Sequence, residues 1–300
     1  MEAADGRAGI TAELVRRLVA REFPQWAGLP VVPVPADGWD NRTYRLGSSL
    51  TVRLPTHERY VAAVAKEDRW LPVLAPRLPL PVPVPVALGH PAEGYPHPWS
   101  VRRWIEGRPA EPGLVRDSGA FARDLAAFLR ALWAVPPAGG PTAGTHSFYR
   151  GCPPRHYDHE VRRALDELGD AVDRPAAEDV WQQALASRWT AAPVWFHGDI
   201  ASGNLLLDPH GRLAAVIDFG TSGVGDPACD LVIAWTFLAG DARTAFRDAV
   251  ELDEATWARA RGWALWKALI VLAARTGTPR QDAANLRVVA EVLADHRAAG

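Results

Sequence analysis

A polar stretch between apolar triplets carries the residue types that phosphoryl transfer requires. Asp199 follows a His-Gly pair, and Asn204 stands five residues after it. A third polar group, Asp218, opens an Asp-Phe-Gly turn at the end of the apolar run from Leu213 to Ile217. Apolar runs that alternate with polar loops predict short strands that present a loop. An aspartate, an amide and a second aspartate in this order form the polar set that a phosphoryl-transfer site needs.

Each of the three side chains has a predicted role in the reaction. Phosphoryl transfer needs in-line positioning and charge neutralisation more than covalent help. Asp199 is predicted to accept the proton of the attacking hydroxyl. Asn204 and Asp218 offer the hard oxygen atoms that Mg²⁺ prefers, and the amide adds no charge beside the base. Asp and Asn are also ordinary turn residues, so no single one of them identifies a site. The prediction depends on all three occurring together in this order and spacing.

Composition limits the class of protein. The 300 residues suffice for two lobes with their own cores, and a net charge of −2 gives no indication of nucleic-acid or anionic-membrane binding. No apolar run approaches the roughly 18 residues of a membrane span. The stretch from Met1 to Ile10 lacks the features of a signal peptide. Two cysteines make neither a disulfide framework nor a zinc set, so a cytoplasmic protein is expected.

The first third of the chain predicts a small lobe built on short antiparallel strands. Alternating runs between turn residues predict strands at Val31–Val34, Arg42–Leu46, Leu50–Leu54, Val84–Leu88 and Trp99–Trp104. Apolar residues at helical spacing predict helices at Thr11–Phe23 and His57–Leu74. The proline-rich run at 76–85 favours a rigid connector, with a ligand for a partner protein as the alternative.

The remainder of the chain predicts a mostly helical lobe. Helices are predicted at Asp117–Val135, Tyr157–Asp170, Pro175–Trp189, Pro227–Leu238, 242–251, 254–275 and 279–297. The predicted division is therefore a nucleotide-binding lobe at 1–103 and a helical lobe at 104–300 that holds the catalytic loop and the acceptor site.

The motifs resemble the catalytic segment of the aminoglycoside phosphotransferase family. The resemblance is carried by His197-Gly198-Asp199, Asn204, Ile217-Asp218-Phe219-Gly220 and Gly225-Asp226-Pro227-Ala228-Cys229-Asp230-Leu231. It covers most of the chain and implies an α+β, two-lobed protein-kinase-like fold with a small antiparallel-sheet N-terminal lobe and a larger, mostly helical C-terminal lobe. It also implies ATP or GTP as phosphate donor, Mg²⁺ as cofactor and a small hydroxylated acceptor.

The resemblance assigns roles to individual residues. It makes Asp199 the general base, His197 a support of the catalytic loop, and Asn204 and Asp218 the Mg²⁺ ligands. It places the loop from Asp37 to Arg42 over the nucleotide phosphates, with contributions from Gly38 and Asn41. Backbone groups between Arg102 and Ile105 are expected to meet the purine, and the residues concerned are Arg103, Trp104 and Ile105.

One departure from the family concerns the third strand, which normally carries a lysine that pairs with a helix glutamate. This chain has Arg53 there, and Glu67 on the following helix is its expected partner. Arginine keeps the charge, but its planar fork is larger and less adaptable than an ammonium. Lys66 points about 100° away from Glu67 around the helix and is not expected to substitute. An ordinary salt bridge between Arg53 and Glu67 is the alternative.

The second departure is from protein kinases. Only five residues separate Gly220 from Asp226, which leaves no room for a peptide-binding activation segment. A small-molecule acceptor is therefore expected, in a protein that is a monomer or a homodimer.

The sequence leaves the acceptor open. An aminoglycoside is the first expectation, since the 158–179 segment holds eight acidic residues against three arginines, although a solvated helix face explains the same surplus. The tryptophans of the helix at 257–266 could line an apolar pocket for a macrolide, or they could simply pack in the protein core. Homoserine- and choline-like metabolites remain candidates. A catalytically weak nucleotide-binding module is the alternative from another class, because the strand lysine is absent.

Overall fold

The computed structural model describes residues 7–35, 38 and 40–299. Contacts divide the chain into two units. The first is formed by Met1–Gly107 with Ala214–Gly220, and the second by Arg108–Leu213 with Thr221–Gly300. The first unit therefore includes the Asp-Phe-Gly turn and ends a few residues beyond the predicted boundary. No helix in the described ranges has the length and apolar character to cross a bilayer.

A five-stranded antiparallel sheet forms the centre of the first unit. Its strands are β1 Val31–Pro33, β2 Asn41–Leu46, β3 Leu50–Pro55, β4 Pro85–Gly89 and β5 Trp99–Arg103, in the order β1-β2-β3-β5-β4. All five predicted strands are confirmed, and their ends move by one residue at most. β5 pairs with β3 so that Ser100 lies opposite Arg53.

The two faces of this sheet have different roles. Helix α1, Ala12–Glu22, begins with a cap in which Thr11 Oγ1 accepts a hydrogen bond from Leu14 N at 3.2 Å. Its buried leucines and valines pack in one core with Val52 of β3 and Val101 of β5. Because side chains alternate along a strand, the polar residues of β3 and β5 point to the opposite face. Helix α2, Val61–Leu74, packs there.

The second unit is mostly helical. Its helices are α3 Ser118–Trp133, α4 Asp158–Leu168, α5 Arg174–Ala186, α6 Ile233–Thr236, α7 Gly240–Val250, α8 Glu254–Ala274 and α9 Pro279–Ala299. Short strands are β6 Arg108–Pro109, β7 Val194–Phe196, β8 Leu205–Leu207, β9 Leu213–Val216, which runs into the first unit, and β10 Gly223–Gly225. β7 pairs with β10, and β6 with β8, both antiparallel. Helix α8 is buried over most of its length and packs against α4, α5 and α9.

The segment after β10 differs from the single helix that the sequence predicts. Pro227–Val232 forms a 3₁₀ helix, and only Ile233–Thr236 continues as α-helix. Asp226 caps the segment by accepting from Ala228 N at 3.0 Å, and its other oxygen binds Arg259 Nε at 2.6 Å. Both of these charged side chains are buried. Burial raises the pKa of Asp226, and the Arg259 guanidinium partly offsets that effect.

A close approach in the sheet gives a test of the fold. A Cβ at Gly89 of β4 would lie 2.0 Å from the indole ring of Trp99, which is fully buried. Gly89→Ala is therefore expected to destabilise the protein by about 1–3 kcal/mol through overpacking. Gly28→Ala is the control, because nothing lies within 4 Å of its Cβ position. Chemical denaturation measures both, and equal stabilities of the two variants would contradict the packing.

Candidate active site

The catalytic loop predicted from the sequence begins where β7 ends, in the second unit. Gly198 has a φ of +85°, and a Cβ there would lie 3.0 Å from the carbonyl oxygen of Thr221. Both the backbone angle and the space therefore favour glycine between His197 and Asp199. The hydroxyl of Thr221 donates to the His197 carbonyl at 2.9 Å, which ties the loop to the strand that follows.

A buried carboxylate holds this loop from behind. Asp230 accepts hydrogen bonds from the backbone N–H groups of His197 at 3.0 Å and Gly198 at 2.7 Å, and from the Trp133 indole at 3.3 Å. Burial raises the pKa of Asp230, while the neighbouring His197 acts in the opposite direction. The sequence places Asp230 within a motif but does not indicate this role, because its partners lie 32 to 97 residues away in the chain.

Asp199 and Asn204 are in direct contact. The Asn204 amide nitrogen donates to the Asp199 carbonyl at 2.9 Å and to its carboxylate at 3.0 Å. The amide oxygen of Asn204 is thereby turned away from the base. His197 is fully buried, and its Nδ1 accepts from the Asp199 N–H at 3.2 Å. The structure thus brings three of the predicted site residues together in one loop.

In the first unit, Arg53 is surrounded by carboxylates. Its guanidinium donates to Asp218 at 3.1 Å and lies 3.5 Å from Asp40 and 3.7 Å from Glu67. Burial alone would lower the pKa of Arg53, but these three carboxylates raise it above the ordinary value. Asp218 has a φ of +67°, a strained value for a residue other than glycine and one that clusters at functional sites.

The expected ion pair between Arg53 and Glu67 is present at 3.7 Å, but the closer partner of Glu67 is Arg102. The two nitrogens of Arg102 donate to the two oxygens of Glu67 at 3.0 and 2.7 Å, and each side chain is 2% exposed. Burial would raise the pKa of Glu67, but Arg102, helped by Arg53 and Lys66, lowers it to about 2. The sequence analysis predicts a role for the backbone around Arg102 but none for its side chain. The alternation of polar Ser100 and Arg102 with apolar residues along β5 is the signal in the sequence that indicates a polar face there.

Lys66 also takes part in this region. Its ammonium donates to the Gly220 carbonyl at 2.7 Å, so it binds the Asp-Phe-Gly turn rather than replacing the strand lysine. Burial lowers the pKa of Lys66 to about 8, against the opposing effect of Glu67 and Asp218. The sequence could not show this contact, since the two groups stand 154 positions apart.

The predicted phosphate loop is described in part, since Asp37 and Trp39 lie outside the described residues. Asn41 is mostly buried, and its amide donates to the Asp40 carboxylate at 2.7 Å. The Gly38 carbonyl accepts a hydrogen bond from Arg7 at 2.6 Å. Burial and the nearby Asp218 raise the pKa of Asp40, and Arg53 offsets part of that rise. Asp40 was not singled out from the sequence, yet it contacts Arg53.

The predicted purine-binding segment follows β5. Arg103 is the last residue of the strand and pairs with Leu50. The Trp104 N–H already donates to the Ser49 carbonyl at 2.8 Å, so this donor is engaged within the unit. The Arg45 guanidinium covers the Trp104 indole at 4.5 Å. Ile105 lies beyond the strand.

Comparison with protein-family models identifies the family of this chain. The model described as the phosphotransferase enzyme family matches residues 31–263, which is most of the chain. The chain belongs to this phosphotransferase family. Comparison with curated protein sequences finds no significant match.

Solved structures of phosphotransferases share the fold. The GDP complex of wild-type aminoglycoside 2'-phosphotransferase-IIIa is 17% identical with a TM-score of 0.73, and the match covers 96% of this chain and 100% of that one. The GDP and kanamycin complex of APH(2")-IIia is 19% identical at 0.69, covering 95% and 99%. Macrolide 2'-phosphotransferase MphH from Brachybacterium faecium is 21% identical at 0.59, covering 92% and 97%. The expected α+β, protein-kinase-like fold is confirmed, and family and fold support a small-molecule phosphotransferase.

The buried pair in this phosphotransferase gives a stability prediction. Glu67→Gln leaves the Arg102 guanidinium buried without a carboxylate and is expected to cost about 3–5 kcal/mol. Folding lowers the pKa of Glu67 from 4.5 to about 2. The pair's contribution is therefore complete above pH 4.5 and is lost as the pH falls towards 2.

Denaturation curves across this pH range measure the effect. Glu58→Gln is the control, since Glu58 is exposed in the same unit. The wild type and the control should lose stability more steeply on acidification than Glu67→Gln. The same acid dependence in all three proteins would contradict the assignment.

The lysine contact gives a second prediction. Lys66→Met removes a charged donor from the Gly220 carbonyl, a bond of a kind worth about 1.5–3 kcal/mol. Hydrogen exchange of the amides at Phe219 and Gly220 should accelerate about tenfold or more. Arg69→Met is the matched control, because Arg69 is exposed on the same helix. Unchanged exchange in the Lys66 variant would show that the contact does not hold the turn.

Proposed function

We propose that the protein transfers the γ-phosphate of a nucleoside triphosphate to a hydroxyl group of a small molecule, with Asp199 as general base. The observation that carries this proposal is the contact between Asp199 and Asn204 in a loop clamped by Asp230. The Asn204 amide holds the Asp199 carboxylate, and buried Asp230 holds the loop that carries it. The base is therefore positioned before the substrates bind, and such positioning is the main requirement of phosphoryl transfer.

The proposed step balances as an in-line displacement. The acceptor oxygen forms a bond to the γ-phosphorus while the bond from that phosphorus to the bridging oxygen breaks. The hydroxyl proton passes to the carboxylate of Asp199, and the nucleoside diphosphate leaves with the bonding electrons. His197 keeps its proposed supporting role, because its ring accepts from the Asp199 N–H.

Asn204 and Asp218 are the proposed Mg²⁺ ligands. Their donor atoms fit a hard cation, since one is a carboxylate and the other an amide oxygen turned away from Asp199. Mg²⁺ held by these two residues would neutralise charge on the phosphate oxygens. Arg53 stands beside Asp218 and supplies a permanent positive charge for the same purpose.

The proposed phosphate donor is ATP or GTP. Structural neighbours were solved as complexes with GDP, ADP and ATP. Gly38 and Asn41 remain proposed contributors to phosphate binding. The backbones of Arg103, Trp104 and Ile105 are proposed to bind the purine. Because the Trp104 N–H already binds the Ser49 carbonyl, Trp104 would contact the purine through its carbonyl group.

The proposed acceptor is a small hydroxylated compound. The structural neighbours include aminoglycoside and macrolide phosphotransferases, so both antibiotic classes belong in an acceptor screen. Cys152 and Cys229 are free thiols, which suits the proposed cytoplasmic location. A nucleotide-binding module without turnover is the competing function, and Mg²⁺-dependent nucleotide turnover by the purified protein separates the two.

The base assignment is tested by Asp199→Asn. Removal of a positioned base should lower turnover by about 10²–10⁴-fold, while nucleotide affinity is largely kept. Asp170→Asn, an exposed acid in the same unit, is the control. Release of nucleoside diphosphate measures turnover, and calorimetry measures affinity. Near-full activity of Asp199→Asn would refute the assignment.

A further inference from the structure

A cavity of about 460 Å³ lies in the second unit, at the end of β7 that is remote from the catalytic loop. We call it the rear cavity, and every residue that lines it belongs to this unit. Pro193, which precedes β7, is part of the lining, whereas His197 follows the other end of the strand. At about 3.3 Å per strand residue, these two positions are about 13 Å apart. The volume of the rear cavity falls within the roughly 300–1,000 Å³ that small-molecule sites occupy.

Much of the lining is apolar. The apolar side chains are those of Pro153, Pro154, Leu185, Trp189 and Pro193. The Trp189 indole nitrogen donates to the Ala192 carbonyl at 3.1 Å, and the residue is only half-buried. A ring that is fixed in place and still partly open offers a surface to the apolar part of a ligand.

The buried cation of the lining is already balanced within the protein. The guanidinium of Arg259 donates to Asp226 and to Ser187 Oγ, both at 2.6 Å, and to the Ala255 carbonyl at 2.8 Å. It lies 5.8 Å from the centre of the Trp189 ring. Arg259 therefore helps to fix the wall of the cavity, and its charge does not call for a ligand.

Two other arginines of the lining, Arg155 and Arg188, are exposed. Within the part of the chain that the structure describes, neither guanidinium has a carboxylate within 4 Å. Arg155 acts electrostatically on Asp158, but the Asp158 carboxylate accepts its hydrogen bonds from Arg162 at 2.9 Å and from the Trp181 indole at 2.8 Å. Both exposed guanidinium groups can therefore bind an anion without first breaking an ion pair.

The backbone on one side of the cavity is closely packed. The Asp226 N–H donates to the Gly151 carbonyl at 2.9 Å, and a Cβ at Gly225 would lie 2.5 Å from the same oxygen. Asp226 is the one acidic residue among those that line the cavity, and its carboxylate is bound to Arg259. The lining thus combines a fixed apolar wall with a surplus of positive charge.

We propose that the rear cavity binds a small organic anion, with the apolar body against Trp189 and the prolines and the carboxylate or phosphate group at Arg155 and Arg188. Arginine suits both anionic groups, because its planar fork can donate two parallel hydrogen bonds to either of them. The rear cavity is separate from the acceptor site beside Asp199. The inference therefore does not depend on the proposed phosphotransferase reaction.

Three probes that differ in charge test the preference for an anion. They are 3-phenylpropionate, 3-phenylpropanamide and 3-phenylpropylamine, which are anionic, neutral and cationic. Affinities are measured by NMR titration of the tryptophan indole signals, with the Trp189 signal assigned from Trp189→Phe. We expect the propionate to bind about tenfold tighter than the amide, as a hydrogen bond to a charged group implies, and the amine to bind most weakly. Comparison with 2-phenylethyl phosphate shows which of the two anionic groups the cavity prefers.

Variants of the lining test where the probes bind. Arg155→Gln and Arg188→Gln should each reduce the preference for the propionate over the amide several-fold. The control Arg123→Gln, which changes an exposed arginine of α3 outside the lining, should keep the preference. Leu185→Trp fills the cavity from a half-buried position on α5 and should weaken binding of all three probes. If Leu185→Trp does not fold, the variants of the two exposed arginines decide alone.

Several results would overturn the proposal. They are equal affinities for the propionate and the amide, no binding of the propionate at millimolar concentration, and unchanged binding in folded Leu185→Trp. Asp199→Asn separates the rear cavity from the acceptor site, since a ligand in the rear cavity should keep its affinity in this variant. A several-fold gain in affinity for the propionate on removal of the Asp199 charge would place the ligand at the acceptor site and would also refute the proposal.

The outcome is independent of the proposed function. Nucleotide turnover without selective binding of the anion would support the phosphotransferase and refute the anion site in the rear cavity. Selective binding of the anion without nucleotide turnover would support the anion site and refute the phosphotransferase.

Discussion

The buried ion pair between Glu67 and Arg102 is the interaction on which the first unit depends. It joins helix α2 to the polar face of the sheet with two hydrogen bonds, at a site where an unpaired charge would be costly. The guanidinium of Arg53 lies 3.7 Å from the same carboxylate and also reaches Asp218 and Asp40. Lys66, the residue before Glu67 on α2, binds the Asp-Phe-Gly turn. Both cations that adjoin this turn are thus next to Glu67, one in space and the other along the helix.

The second unit also contains a buried carboxylate that holds neighbouring groups by hydrogen bonds. Asp230, fully buried, accepts backbone N–H groups of the catalytic loop instead of a guanidinium. Asp226, a few residues earlier, both caps the following 3₁₀ helix and binds the buried Arg259 of α8. In both cases burial raises the pKa of the carboxylate, and the hydrogen bonds that it accepts act in the opposite direction. The loop that carries Asp199 is thereby anchored to the helical core.

The sequence was informative wherever the signal was local. Strand alternation placed β1 to β5 to within one residue, and the five-residue spacing from Asp199 to Asn204 corresponds to a real contact. Local patterns could not predict that Glu67 binds Arg102 or that Lys66 binds the Gly220 carbonyl. The first contact depends on strand register, and the second joins chain segments far apart in sequence. The helix predicted after Pro227 failed for a related reason. Its first turn tightens to 3₁₀ where Asp230 turns inward to the catalytic loop, a tertiary contact that helix propensity does not contain.

We propose that Arg53, which lies among Asp218, Asp40 and Glu67, binds the nucleotide phosphates in the position of the usual lysine. Calorimetric titration of Mg-ATP and Mg-GTP into wild type, Arg53→Lys and Arg53→Met tests this role. We expect Arg53→Met to weaken nucleotide binding by about tenfold or more, as loss of a charged hydrogen bond implies, and Arg53→Lys to retain most of the affinity. Wild-type affinity in the correctly folded Arg53→Met variant would contradict it.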